Sequence, residues 1–248
     1  MRSAAPSFKL EGTRMISPPA FPALPAAWPY PMRPALPRLA CRNRSRLPGL
    51  GDGWRLCLLG DARPEDPAAP LDGAFGRGGI LRAGSFVLRP YRRGGLLRHV
   101  NARIYLSPVR FAAEFAVHRA LWLAGLPTVE PVGYAWRERA WGAEGIYISR
   151  FTEASPWPRH WDQSAQVVPA LREALGALCA WGLWAPDLNA TNVLIRSEGI
   201  QLLDWDRAQF QPAPVPFERY AARLRRSLFK LGAPAEIIAQ ATAPPHPG

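Results

Sequence analysis

The chain has 248 residues and a mass of 27.4 kDa, which suits one sizeable domain or two lobes about a cleft and excludes a short peptide module. Hydrophobic residues at 48% and charged residues at 20% exclude a wholly disordered chain, since disorder goes with few apolar residues and an excess of one charge. The formal net charge is +12, of which +7 lies in residues 1–50.

Residues 1–50 hold 10 of the 28 prolines, in runs such as Ser17-Pro18-Pro19-Ala20-Phe21-Pro22. Proline fixes φ and removes a donor, so this stretch reads as a disordered Pro/Arg-rich arm. An overextended start is the alternative, with Met15 and Met32 as later starts. The arm lacks the apolar core of a secretory signal. No run of 18 or more apolar residues occurs, so no membrane-spanning helix is expected. Cys41, Cys57 and Cys179 are odd in number and far apart. They read as unpaired thiols in a reducing compartment, with no zinc-site spacing.

From Trp54 to Phe151 the pattern favours strands. Trp54–Leu59, Gly79–Arg82 and Ser85–Arg89 are short apolar runs between Gly- or Asp-rich breaks, and the last two predict a hairpin. One helix interrupts them, from Pro108 to the stop at Gly125-Leu126-Pro127, with apolar residues near helical spacing. Ile146-Tyr147-Ile148 reads as a buried strand. Helices then take over, over Val167–Leu183 and Pro216–Leu231. The order is a strand-rich lobe over 51–152, then a helical lobe over 153–243.

Asp187-Leu188-Asn189-Ala190-Thr191-Asn192 runs into the apolar Val193-Leu194-Ile195. After a turn, Ile200-Gln201-Leu202-Leu203 ends in Asp204-Trp205-Asp206. This pattern is a hairpin with acids at its mouth. Phosphoryl transfer needs a carboxylate to take the acceptor proton, here Asp187, and oxygen ligands for Mg²⁺ beside the nucleotide phosphates, here Asn192 and Asp204. Asp206 is the competing ligand two residues on. Taken singly, each acid also reads as a loop cap or strand end.

Such a site needs a cation on a strand and a Glu on the following helix to orient it. Lysine occurs only at positions 9 and 230, so Arg89 is the candidate cation and Glu114 its partner. Gly76 and Gly78 are candidates for backbone approach to ATP phosphates, with a plain turn as the alternative.

Phe86-Val87-Leu88-Arg89-Pro90-Tyr91-Arg92-Arg93-Gly94-Gly95, Glu114-Phe115, Gly125-Leu126-Pro127, the Asp187–Asn192 segment and Leu203-Asp204-Trp205-Asp206 together resemble the 3-deoxy-D-manno-octulosonic acid (Kdo) kinases. These form part of the lipopolysaccharide kinase group of the protein-kinase-like superfamily. The resemblance spans about 72–231. It implies an α+β, bilobal protein-kinase-like fold with a strand-rich N-lobe and a helical C-lobe. It also implies ATP- and Mg²⁺-dependent phosphorylation of Kdo on a lipid A precursor (Kdo–lipid IVA), by a peripheral protein at the cytoplasmic face of the inner membrane. The family's base falls on Asp187, its metal ligands on Asn192 and Asp204, and its strand cation on Arg89. Two family histidines are replaced, by Ala185 and Thr191, and by analogy with kinases the first braces the loop.

The basic excess suits anionic ligands and an anionic membrane surface. Residues 92–103 carry several arginines, and Arg219, Arg223, Arg225, Arg226 and Lys230 share a helix with the apolar stripe Phe217, Tyr220, Leu224 and Leu228. That stripe reads either as core or as a membrane-facing surface. Three rivals stand beside the Kdo kinase reading: another small-molecule phosphotransferase of this fold, a catalytically weak kinase-like binding module, and a nucleic-acid binder. Against the last, no nucleic-acid-binding motif is present. No obligate protein partner is evident.

Overall fold

A computed structural model describes residues 39–47, 49–64, 66–71, 79–92 and 104–244. The strand-rich lobe opens with β1 (Leu39–Leu47), β2 (Gly51–Leu59), β3 (Ala69–Pro70), β4 (Leu81–Ala83), β5 (Phe86–Pro90) and β6 (Ile104–Tyr105). Helix α1 (Val109–Leu123) follows, then the long strands β7 (Pro131–Arg139) and β8 (Gly142–Arg150). They pair antiparallel in the order β1-β2-β7-β8-β5-β4-β3, with β6 added beside β8.

Strand β8 is buried on both faces, and its alternation divides the lobe's core. Ile146 and Ile148 join Leu88, Leu56 and Leu58 on one side. Ala143 and Tyr147 lie on the other, under Phe111 and Phe115 of α1. Gly145 shares that second face, where a Cβ would come within 2.4 Å of the Phe111 ring. Only glycine lets the helix lie this close to the strand, and that closeness sets how far α1 reaches toward the cleft.

The helical lobe comprises β9 (Ser155–Pro156), α2 (Ser164–Ala180), β10 (Leu183–Trp184), β11 (Val193–Arg196), β12 (Gly199–Leu202), β13 (Gln209–Phe210), α3 (Phe217–Lys230) and α4 (Ala235–Thr242). Strands β11 and β12 form the expected hairpin, Val193 opposite Leu202. The α3 stripe Phe217, Tyr220, Leu224 and Leu228 is buried with α2 side chains such as Val167, Leu171 and Leu178. That stripe is core, and the membrane-facing alternative for it falls. A strand-rich lobe followed by a helical one makes the fold bilobal and α+β.

Two expectations need correction. Residues 39–47, assigned to the arm, are β1, and Leu47 is fully buried beside Trp54. The arginines of Leu39–Leu47 masked a strand whose hydrogen-bonding partner is the next segment, β2. The same register sets Cys41 opposite Cys57, and the two are disulfide-bonded with Cα atoms 4.2 Å apart. Linear spacing hid this pairing, and Cys179 alone is a free thiol among the described residues. The cysteine count therefore no longer argues for a reducing compartment. Gly76, Gly78, Arg93, Arg98 and Arg103 lie outside the described residues.

Candidate active site

Helix α1 carries Arg110, Glu114 and His118 four residues apart, the spacing that stacks side chains on one helical face. Each makes polar contacts that order the site, and those of Arg110 reach the helical lobe. Glu114, with a side chain 1% exposed, accepts from Arg89 Nη2, and Arg89 Nη1 lies 3.2 Å from Asp204 Oδ1. The strand cation thus bridges the α1 carboxylate and the acid at the end of the β11–β12 hairpin. Burial alone would lower the Arg89 pKa, but Glu114 and Asp204 outweigh it and hold the guanidinium charged. Glu114 is pushed up to about 8, first by burial and then by Asp206 and Asp204, with Arg89 acting the other way.

Arg110 donates through Nε to Asp206 Oδ1 at 2.9 Å and through Nη2 to Oδ2. This fork occupies the carboxylate that competes with Asp204 in the sequence. His118 completes the row. Thr128 Oγ1 donates to the Leu202 carbonyl at 2.7 Å, so it accepts from Trp205 Nε1 at 2.9 Å and from His118 Nε2 at 2.9 Å. His118 Nδ1 then accepts from the Tyr147 hydroxyl at 2.6 Å. Burial drives the His118 pKa down to about 3, so the ring is neutral, as this bonding requires. Leu202 N–H also donates to the Pro127 carbonyl at 2.8 Å. The α1 side of the cleft is therefore tied to the residues on both sides of Leu203 and Asp204.

The loop before β11 holds Asp187 and Asn192. The side-chain amides of Asn189 and Asn192 both donate to the Asp187 carbonyl, at 2.8 and 2.9 Å. Thr191 N–H and its hydroxyl both donate to Asn189 Oδ1. The Asp187 carboxylate faces the cleft and receives Arg207, through Nε to Oδ2 at 2.9 Å and Nη2 to Oδ1 at 2.6 Å. Arg223 Nη2 of α3 lies 3.5 Å from Oδ1. Asp204 and Arg207 have left-handed backbones, φ 64° and 61°. Non-glycine residues rarely hold that conformation, and such strain concentrates at functional sites.

The structure thus brings Asp187, Asn192, Asp204, Arg89 and Glu114 together where the two lobes meet. The arginines 110, 207 and 223 were not singled out as site residues in the sequence, where acids were sought and cations looked like surface charge. Their one local signal is the placing of Arg207 directly after Asp204-Trp205-Asp206.

No protein-family model matches the chain. Among curated relatives, the 3-deoxy-D-manno-octulosonic acid kinase of Xanthomonas campestris pv. campestris (strain B100) is 31% identical over 194 residues, covering 70% of this chain and 75% of that one. The protein of the same name from Xanthomonas oryzae pv. oryzae (strain PXO99A) is 34% identical over 181 residues, covering 67% and 72%. The chain belongs to the Kdo kinase family. Among solved structures, a glucosamine kinase aligns with TM-score 0.39 at 14% identity, over 77% of this chain and 74% of that one.

Helix α3 braces the loop on both sides of Asp187, near Ala185 and Thr191. The Tyr220 hydroxyl donates to the Leu183 carbonyl at 2.7 Å and accepts from Ala185 N–H at 3.1 Å. Ala185 is fully buried. Ser227 of α3 accepts from Ala190 N–H at 3.2 Å.

The donor set fits a magnesium ion. Asn192 uses its N–H on the Asp187 carbonyl, which leaves Oδ1 for a cation, and Asp204 adds a carboxylate. The Asp204 pKa is raised, first by burial and then by Asp206 and Asp187, with Arg89 opposing. A hard cation there would relieve that crowding with the oxygen ligands it prefers.

Proposed function

We propose that the chain transfers the γ-phosphate of ATP to a hydroxyl of the Kdo residue on a lipid A precursor, Kdo–lipid IVA, in lipopolysaccharide core biosynthesis. The observation that carries this reading is the convergence of Asp187 and Asn192 with the Arg89–Glu114–Asp204 cluster across one cleft. Asp187 takes the acceptor's proton as its oxygen bonds to the γ-phosphorus, while the bond from that phosphorus to the bridging oxygen breaks and ADP leaves. Arg89, fixed by Glu114, presents a permanent positive charge to the nucleotide phosphates. Asn192 and Asp204 would hold Mg²⁺, which supplies charge neutralisation on the phosphates. Arg110 holds Asp206 off that role and keeps α1 docked on the segment that carries Asp204.

A lipid-linked acceptor calls for work at a membrane surface, and we place the protein peripherally at the cytoplasmic face of the inner membrane. Among the described residues no helix is long and apolar enough to cross a membrane. Phe229 of α3 is 79% exposed and follows Arg225 and Arg226 by four and three residues, so one solvent-facing side of α3 is both basic and aromatic. Such a face suits anionic headgroups. The reading is tested by incubating purified protein with radiolabelled ATP, Mg²⁺ and Kdo–lipid IVA. Label appearing in the glycolipid is expected; ATP binding without transfer would favour a kinase-like binding module instead.

A further inference from the structure

The arginines of the cleft are unevenly shared: Arg89 lies between Glu114 and Asp204, whereas Asp187 has two. Arg110 serves Asp206 and Arg89 serves Asp204, but Arg207 and Arg223 both converge on Asp187. Two guanidiniums on one carboxylate leave a local excess of positive charge at Asp187. They also cover both oxygens of the group that has to accept the acceptor's proton, and a base held in a fork is blocked. The excess lies toward solvent. The Arg207 side chain is 58% exposed and that of Arg223 32%, against 22% for Asp187. Arg223 further has a buried Nε with no hydrogen-bond partner. Both come from the helical-lobe side, from α3 and from the residue after Asp206, while Arg89 and Glu114 occupy the opposite wall.

We propose that Arg207 and Arg223 form a carboxylate subsite beside Asp187, which takes the acid group of the acceptor sugar and so releases Asp187 to act as base. The inference rests on the Kdo kinase reading above, whose acceptor is a sugar acid. A planar fork matches a carboxylate through two parallel hydrogen bonds. When an acceptor carboxylate enters, it satisfies the surplus cation and competes for the arginines that hold Asp187. The acceptor hydroxyl then meets a freed carboxylate. An acceptor without the acid leaves Asp187 covered, so the subsite selects sugar acids by controlling the base as well as by binding.

The test compares the methyl glycoside of Kdo with its carboxamide as acceptors for the full-length protein, in wild type, Arg207→Gln and Arg223→Gln, with Arg207→Lys and Arg223→Lys as milder variants. Wild type should prefer the acid in kcat/KM by about 10- to 100-fold, the scale of a hydrogen bond to a charged group. Each Gln variant should lose that preference by losing rate on the acid alone, and the Lys variants should keep part of it. If wild type uses the acid yet the Gln variants slow equally on acid and amide, the arginines serve the phosphate or the loop and the subsite falls while the kinase reading stands. If wild type labels neither glycoside nor Kdo–lipid IVA, the kinase reading falls and takes the subsite with it.

Discussion

Tyr220 holds Ala185 in place two residues before Asp187: its hydroxyl accepts the Ala185 N–H at 3.1 Å while donating to the Leu183 carbonyl at 2.7 Å. A helix of the C-lobe thereby braces the approach to the loop that carries Asp187.

Tyr220→Phe keeps the ring in its buried site and removes both hydrogen bonds. Leaving a buried N–H and carbonyl unpaired costs about 1 to 3 kcal/mol. A lower Tm is expected, with kcat reduced more than the KM for ATP, because the loop and not the nucleotide wall is loosened. Unchanged Tm and kcat would show that the loop stands without this brace.

Arg89→Ala leaves Glu114, whose side chain is 1% exposed, without its partner. Removing one partner of a buried pair costs about 3 to 5 kcal/mol. Thermal unfolding of Arg89→Ala, Glu114→Gln and the double variant should show the double mutant more stable than Arg89→Ala alone. Additive losses would mean that the pair is not coupled. Activity should be lost in Arg89→Ala and partly retained in Arg89→Lys, which keeps the charge without the fork.

His118 predicts acid sensitivity. Its pKa falls from the ordinary 6.5 to about 3 in the folded chain through burial. Between those values the unfolded chain binds a proton that the folded chain does not, so stability is present above pH 6.5 and is lost as pH falls toward 3. The slope from this residue approaches about 1.4 kcal/mol per pH unit at most. Denaturant titrations from pH 7 to 4 should show that decline, and a flat profile would contradict the buried neutral ring.

The Cys41–Cys57 bond closes a loop across the β1–β2 hairpin with a sequence separation of 16, worth about 3 kcal/mol in the chain-entropy account. Reductant should lower the Tm of the native chain and leave Cys41→Ala unaffected. Removing residues 1–47 deletes β1 with its buried Leu47 and should destabilise the N-lobe, as an arm ending at 50 would not.

Local periodicity made much of this architecture legible. The hairpin of β4 and β5, α1, α2, α3 and the β11–β12 hairpin all follow from apolar spacing and their Gly or Pro stops. Strand β1 was hidden because its arginines and flanking prolines resemble an arm, and its pairing with β2 is a matter of register. Strand β7 was missed because Gly133 and a charged end, Arg137-Glu138-Arg139, break its apolar run. In the site, Asp187, Asn192, Asp204, Arg89 and Glu114 could be picked out because phosphoryl transfer asks for those groups in that order. Arg110 with Asp206, 96 residues apart, and the hub at Thr128 depend on tertiary contacts that no local pattern encodes. Arg207 was overlooked for another reason: its charge looked like surface until the fold turned it onto Asp187.

Asp187→Asn tests most directly whether Asp187 is the base of a phosphoryl transfer, because size and shape are kept. Steady-state phosphorylation of Kdo–lipid IVA should fall by about 10²- to 10⁴-fold in kcat, while thermal-shift titration shows Mg·ATP binding close to wild type. A variant that keeps most of the wild-type kcat would contradict the account.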